Sequence, residues 1–180
     1  MELFTGRPTD VSDRTDKEIK VYDFLDELGI CYWRLDHAPA FGSEEELCRD
    51  IEESLGAKIC KNLFLANRQR TRFYMLMIPD HKVFRSSDIS KQAGSSRLHF
   101  AESEYMEELI DCSPGSASVM GLMNDTDHKV QLLVDDDVIN AEYVGCHPCI
   151  NTSSLRIKSS DIFDKFVKAI GHDFIVVHAE

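Results

Sequence analysis

The sequence predicts one α+β domain, with helices packed on a largely antiparallel, twisted sheet. Three observations carry that expectation. Apolar residues recur at helical spacing in some segments and as short continuous runs in others. Two of the short runs, Ile59 to Ala66 and Phe73 to Ile78, are joined by the polar Asn67-Arg68-Gln69-Arg70-Thr71-Arg72, a hairpin signature. No linker, repeat or low-complexity stretch interrupts the 180 residues, a length that buries roughly 70% of the unfolded-chain surface around one core. The expected domain is therefore residues 1–180, with N-terminal helices over about 13–56 and a sheet core over about 57–180.

The elements follow in order. Thr15-Asp16-Lys17-Glu18 has the form of a capping box, and Val21, Phe24, Leu25 and Leu28 recur at helical spacing before Gly29. Ile30 to His37 is predicted as a strand that Pro39 ends. A second capping box, Ser43-Glu44-Glu45-Glu46, opens a helix with Leu47, Ile51 and Leu55 on one face before Gly56. After the hairpin come a short helix at Ser87 to Ala93, a strand at Leu98 to Ala101 and a helix at Ser103 to Asp111. Strands are expected at Val130 to Val134, Glu142 to Gly145 and Ser154 to Ile157, then a helix at Asp161 to Ile170 and a last strand at Phe174 to His178.

Hydrophobic residues at 43% and charged residues at 29% suit a soluble globular protein. No apolar run spans a bilayer and the first residues lack the features of a signal peptide, so the expected location is cytoplasmic, with no membrane partner. Six cysteines are then expected as reduced thiols. Cys31, Cys48, Cys60 and Cys112 stand singly among apolar neighbours. Cys146 and Cys149 form a C-x-x-C, which is compatible with a redox couple or half a zinc site. The turn-forming, β-branched sequence after it does not open a helix, and no second ligand pair exists. Coincidental thiols are the preferred reading.

Net charge is −12, yet it is segregated. Residues 1–56 hold 6 basic and 15 acidic side chains, residues 57–97 hold 9 and 2, and residues 98–180 hold 5 and 15. A cationic segment can grip a phosphate backbone even on an acidic protein, because counterion release depends on local contacts. Arg68, Arg70 and Arg72 cluster at the hairpin tip; a solvated turn is the plainer account of them.

Lys61-Asn62 interrupts the strand-like Ile59 to Leu65. A half-buried ammonium needs an anionic or polar partner, so the pair marks a candidate ligand site; the alternative is a lysine simply facing solvent. Pro114-Gly115-Ser116-Ala117-Ser118 offers small residues and backbone N–H groups suited to a carbonyl or phosphate oxygen. His147 precedes Pro148, which holds it extended and aims its imidazole. His37, His81, His99, His128, His172 and His178 are expected on the surface or in loops. No P-loop, dinucleotide fingerprint, nucleophile elbow or His-Glu-x-x-His is present, so no cofactor and no metal are expected.

Lys61-Asn62-Leu63-Phe64-Leu65, the Pro114-Gly115-Ser116 turn, and Gly145-Cys146-His147-Pro148 with Asn151-Thr152 resemble the YbaK/ProX family of aminoacyl-tRNA editing domains. The motif order covers most of the chain. The resemblance implies a YbaK-like fold and a deacylase for mischarged tRNA, on the branch that clears alanine from proline tRNA. It further implies that Lys61, Asn62 and His147 form the pocket with backbone donors at Gly115 and Ser116, and that water attacks the ester without metal. Lys58, Arg68, Arg70, Arg72 and Pro148 are the implied substrate contacts. The tRNA acceptor end is the implied partner, with prolyl-tRNA synthetase as a candidate partner in trans. Two departures, Val119-Met120 after the turn and Cys149 after His-Pro, are expected to touch the pocket wall and bear on which amino acid is removed. The competing readings are a non-catalytic module binding a tRNA end or nucleotide, and a thiol switch at Cys146 and Cys149.

Overall fold

Residues 1–39 and 45–180 are described in the computed structural model. In chain order they form β1 (Leu3–Thr5), α1 (Asp16–Glu27), β2 (Tyr32–Asp36), α2 (Glu45–Leu55), β3 (Cys60–Asn67), β4 (Phe73–Pro79), α3 (Ser86–Gln92), β5 (Leu98–Phe100) and α4 (Ser103–Ile110). A 3-10 turn (Val119–Asn124), β6 (Val130–Asp135), α5 (Asp136–Asn140), β7 (Tyr143–Cys146), β8 (Ser153–Lys158), a π-helical turn (Asp161–Phe166), α6 (Val167–Ala169) and β9 (Phe174–Val177) complete the chain.

The strands make two sheets. The first, ordered β1-β2-β8-β7, is antiparallel throughout. The second, ordered β5-β3-β4-β6-β9, is antiparallel from β5 to β4 and parallel from β4 to β9. The largely antiparallel α+β expectation holds, but the strands divide between two sheets and the second has a parallel half. An isolated bridge between Ile59 and Gly145 joins the sheets where β3 begins.

The parallel half explains the unbroken apolar run Phe73 to Ile78, all of it buried. Met75 and Met77 face a core shared with Tyr32, Leu155 and Ile157 of the first sheet. Leu76 and Ile78 face a second cluster closed by Ile89 of α3. A central strand covered on both faces has no polar face to show.

The first capping box forms as expected. Thr15 Oγ1 accepts from the Glu18 amide at 3.4 Å, and Glu18 Oε2 accepts from the Thr15 amide at 3.0 Å. Removing such a cap costs about 1 kcal/mol. Glu18 is buried, and Arg14 bridges it to Asp36 with a bidentate contact at 2.7 and 2.9 Å, locking α1 onto β2. The second capping box falls on Ser43 and Glu44, outside the described residues. β1, the 3-10 turn and α5 were not anticipated; the first is too short to show a period. The helix expected from Asp161 opens as a π turn. Among the described residues, no helix is long and apolar enough to cross a membrane.

Candidate active-site cleft

The cleft forms where α2 ends and β3 begins. Gly56, at φ +67°, closes the helix, and Glu52 then staples it to the strand: its Oε1 accepts from the Ile59 amide at 3.0 Å while Oε2 holds Lys58 Nζ at 2.7 Å. A cavity of about 830 Å³ lies alongside, lined by Cys48, Arg49, Ile51 and Glu52 of α2, Ile59 to Leu63, Asp80, Gly115, Ala117 and His147.

Lys61 is not half-buried; its side chain is 41% exposed at the rim. Its ammonium donates to the backbone carbonyl of Asp80 and, at 3.5 Å, to that of Lys82, and lies 3.5 Å from the Asp80 carboxylate. These contacts are exposed, so the ammonium remains accessible from solvent. Asn62 behaves differently. Its Nδ2 donates to the Cys60 carbonyl at 3.1 Å, which fixes the amide orientation, and its buried Oδ1 has no partner among the described residues. A buried acceptor left unpaired costs about 1–3 kcal/mol, which a donor on a ligand relieves.

His147 sits opposite. A carbonyl can only accept, so the 2.9 Å contact between Nδ1 and the Ser153 carbonyl puts the proton on Nδ1 and leaves Nε2 as the acceptor. Burial pulls the imidazole below its ordinary value, with the Ser153 carbonyl opposing, so the ring is neutral near pH 7. Ser118 Oγ donates to the His147 carbonyl at 2.5 Å and ties the turn region to the same loop.

The turn Ser113-Pro114-Gly115-Ser116 closes with the Ser116 amide on the Ser113 carbonyl at 3.0 Å, and Gly115 adopts φ +86°. Proline second and a left-handed glycine third is the type II pattern. Ser116 also donates its hydroxyl to the Ser113 carbonyl at 2.9 Å, is buried, and does not line the cavity. The expected donor at Ser116 is therefore consumed by the turn. The amides of Gly115 and Ala117 have no partner among the described residues and border the cavity.

Sequence comparison now bears on this cleft: residues 38–165 match the family model described as the aminoacyl-tRNA editing domain. The chain belongs to the aminoacyl-tRNA editing domain family. It is 29% identical over 150 residues to the prolyl-tRNA editing protein ProX of Acetoanaerobium sticklandii, covering 83% of this chain and 90% of that protein. It is 30% identical over 158 residues to the prolyl-tRNA synthetase associated domain-containing protein 1 of Mus musculus, covering 86% and 91%. The solved structure of a candidate trans-editing enzyme for prolyl tRNA synthetase superposes with a TM-score of 0.67 at 14% identity, over 92% of this chain and 98% of that one, and so shares its fold.

Of the residues expected in the editing site, Lys61, Asn62, Gly115 and His147 meet at the cleft. Lys58 is drawn onto Glu52, and Pro148 lies buried behind His147. Arg68, Arg70 and Arg72 stand at the closed end of the hairpin, about 20 Å along β3 from Lys61. Val119, Met120 and Cys149 are buried in the core, away from the cavity lining, so those departures do not alter the described wall. Cys149 meets Cys112, not its C-x-x-C partner; that contact and burial push its thiol up. Burial, with a smaller push from neighbouring Cys60, drives the Cys146 thiol up, and none of the six cysteines forms a disulfide among the described residues.

Arg49, Glu52 and Asp80 were missed because their recruitment depends on how α2 and the 79–82 turn approach β3. Two histidines lie in loops, as expected, but are not free on the surface. His172 is buried with Nε2 3.0 Å from Asp125. His37 packs its ring 6.2 Å from that of His147, with Nδ1 donating to the Ala38 carbonyl at 2.7 Å and Nε2 2.9 Å from Ser154 Oγ.

Proposed function

We propose that this editing domain removes alanine from mischarged proline tRNA by water attack on the aminoacyl ester, acting in the cytoplasm and in trans to prolyl-tRNA synthetase. The observation that carries the reading is the convergence of Lys61, Asn62 and His147 on one cleft. The names of two relatives, a prolyl-tRNA editing protein and a prolyl-tRNA synthetase associated domain, support proline tRNA as the carrier.

Each group has a task in this scheme. Lys61 exchanges its backbone carbonyls for a phosphate of the 3′ end, with the exposed Arg49 beside it. The unpaired Asn62 Oδ1 accepts from the α-ammonium of the aminoacyl group. The amides of Gly115 and Ala117 stabilise the oxyanion as the carbonyl becomes tetrahedral. Neutral His147 accepts at Nε2 from the attacking water or from the terminal ribose hydroxyl, orienting it at the ester. No protein nucleophile enters this scheme. A small wall at Ala117 and Cys60 favours a short side chain, the second sieve that a synthetase lacks against a smaller competitor.

The test is a deacylation panel of alanyl-, seryl-, cysteinyl- and correctly charged prolyl-tRNA for proline. Fastest release is expected from the alanyl ester, with prolyl-tRNA spared. Binding of tRNA with no release from any misacylated substrate assigns the cleft to a non-catalytic module instead.

A further inference from the structure

Four adjacent strands of the second sheet terminate, at the end remote from the cleft, in a row of cations. The β3–β5 register pairs Asn67 with Leu98 and so brings Arg68 beside Arg97. The Asn67 amide donates to the Arg72 carbonyl at 3.0 Å, which sets Arg72 across the hairpin. The parallel pairing of Phe73 with Val130 then brings Arg72 beside Lys129. Across β5-β3-β4-β6 the row runs Arg97, Arg68, Arg72, Lys129. At about 4.8 Å per strand it is roughly 15 Å long.

These charges are exposed and largely uncompensated. Of the nine cations in residues 57–97, Lys58, Lys61, Arg70, Lys82 and Arg85 are paired with carboxylates. Three of the other four, Arg68, Arg72 and Arg97, stand in this row with no acidic partner among the described residues. Lys129 lies 3.7 Å from Asp127, both exposed. The segment's free positive charge is thus concentrated at the hairpin tip. In a chain of net charge −12 that is unexpected of a merely solvated turn.

The tip is also braced by its own hydrogen bonds. Buried Asn67 accepts from the Thr71 and Arg72 amides at 2.9 and 3.2 Å and donates to Thr71 Oγ1 at 2.9 Å. Ser96 Oγ contacts Gln69 Oε1 at 3.4 Å, tying the Arg97 segment to the tip. Arginines set at neighbouring strand ends suit phosphates, which their guanidinium groups grip bidentately.

We propose that this row is a second contact surface for the phosphodiester backbone of the substrate RNA, holding its duplex stem while the acylated end occupies the cleft. It rests on the editing function above and adds a surface that the cleft does not supply. The row lies about 20 Å from Lys61 along β3, so a trinucleotide end does not reach it while a stem does.

The experiment compares wild type with Arg68→Gln/Arg72→Gln/Arg97→Gln, and with Arg97→Gln alone should the triple change disturb the hairpin. Affinity is measured for uncharged full-length tRNA and for a 3′-terminal tetranucleotide over a salt series. The expected result is a ten- to hundredfold loss for tRNA alone, with the log–log salt slope shallower by about 2–3 for the triple variant and about 1 for the single one. Unchanged tRNA affinity overturns the proposal, as does equal loss for both ligands or an unchanged salt slope. Because binding is read without turnover, a wild-type protein that releases no amino acid would sink the editing reaction and still leave the row decided.

Discussion

Asn62 and Asn67 sit five residues apart on β3 and do opposite things. Asn67, at the hairpin end, commits its whole amide: two backbone N–H groups reach its oxygen and its nitrogen reaches Thr71. Asn62, at the cleft end, commits only its nitrogen, to the Cys60 carbonyl, and keeps a buried oxygen unpaired. One residue type on one strand thus serves folding at one end and is held in reserve at the other. An unpaired buried acceptor is a standing cost that selection for stability alone removes, and the role proposed for Asn62 would offset it.

The largest effect that sharpens this contrast is expected at the cleft. Asn62→Ala should lower kcat/KM on the misacylated tRNA about a hundredfold, in the range of lost transition-state or positioning hydrogen bonds, while stability to urea holds or rises by up to about 2 kcal/mol as the unpaired oxygen goes with its one hydrogen bond. Asn67→Ala should do the reverse. It strands the Thr71 and Arg72 amides and should cost about 2 kcal/mol in urea unfolding, with kcat little changed. If the two variants lost activity and stability alike, the contrast would be wrong.

Acidity offers a subtler probe. Burial lowers the His147 imidazole below its ordinary 6.5, so kcat/KM should be flat above that value and fall as the pH drops through the lower folded one. The stability contribution has the same sign. Between the two values the unfolded chain binds more protons, so stability is full above the unfolded imidazole value and is lost as the pH falls through the folded one. His147→Gln should abolish this acid limb of the rate profile. The smallest effect is expected at the thiols: Cys146→Ser/Cys149→Ser should keep kcat/KM within about twofold, although burying two hydroxyls costs about 1–3 kcal/mol each. A complete loss of activity in a double variant whose circular dichroism matches wild type would revive the thiol switch.

The local signals were legible. The capping box at Thr15 and Glu18, the hairpin around Asn67, and the Pro114-Gly115 turn all depend on groups within a few residues, and each formed where the residues indicated. The family's Lys61-Asn62 and His147 likewise reached one cleft. What the sequence hid was anything set by approach between distant elements. It hid the parallel half of the second sheet, Glu52 as the staple between α2 and β3, and Cys149 meeting Cys112 instead of its sequence neighbour.

By itself, then, the chain determined most of its secondary elements and its tight turns, because those follow from short-range sterics and from side-chain chemistry. Only the tertiary structure decided that Lys61, Asn62, Gly115 and His147 border one cavity, that Glu52 ties α2 to β3, and that Cys149 meets Cys112. Those outcomes turn on how elements far apart in the chain approach one another, which the pairing of the strands within the two sheets sets and no local pattern encodes.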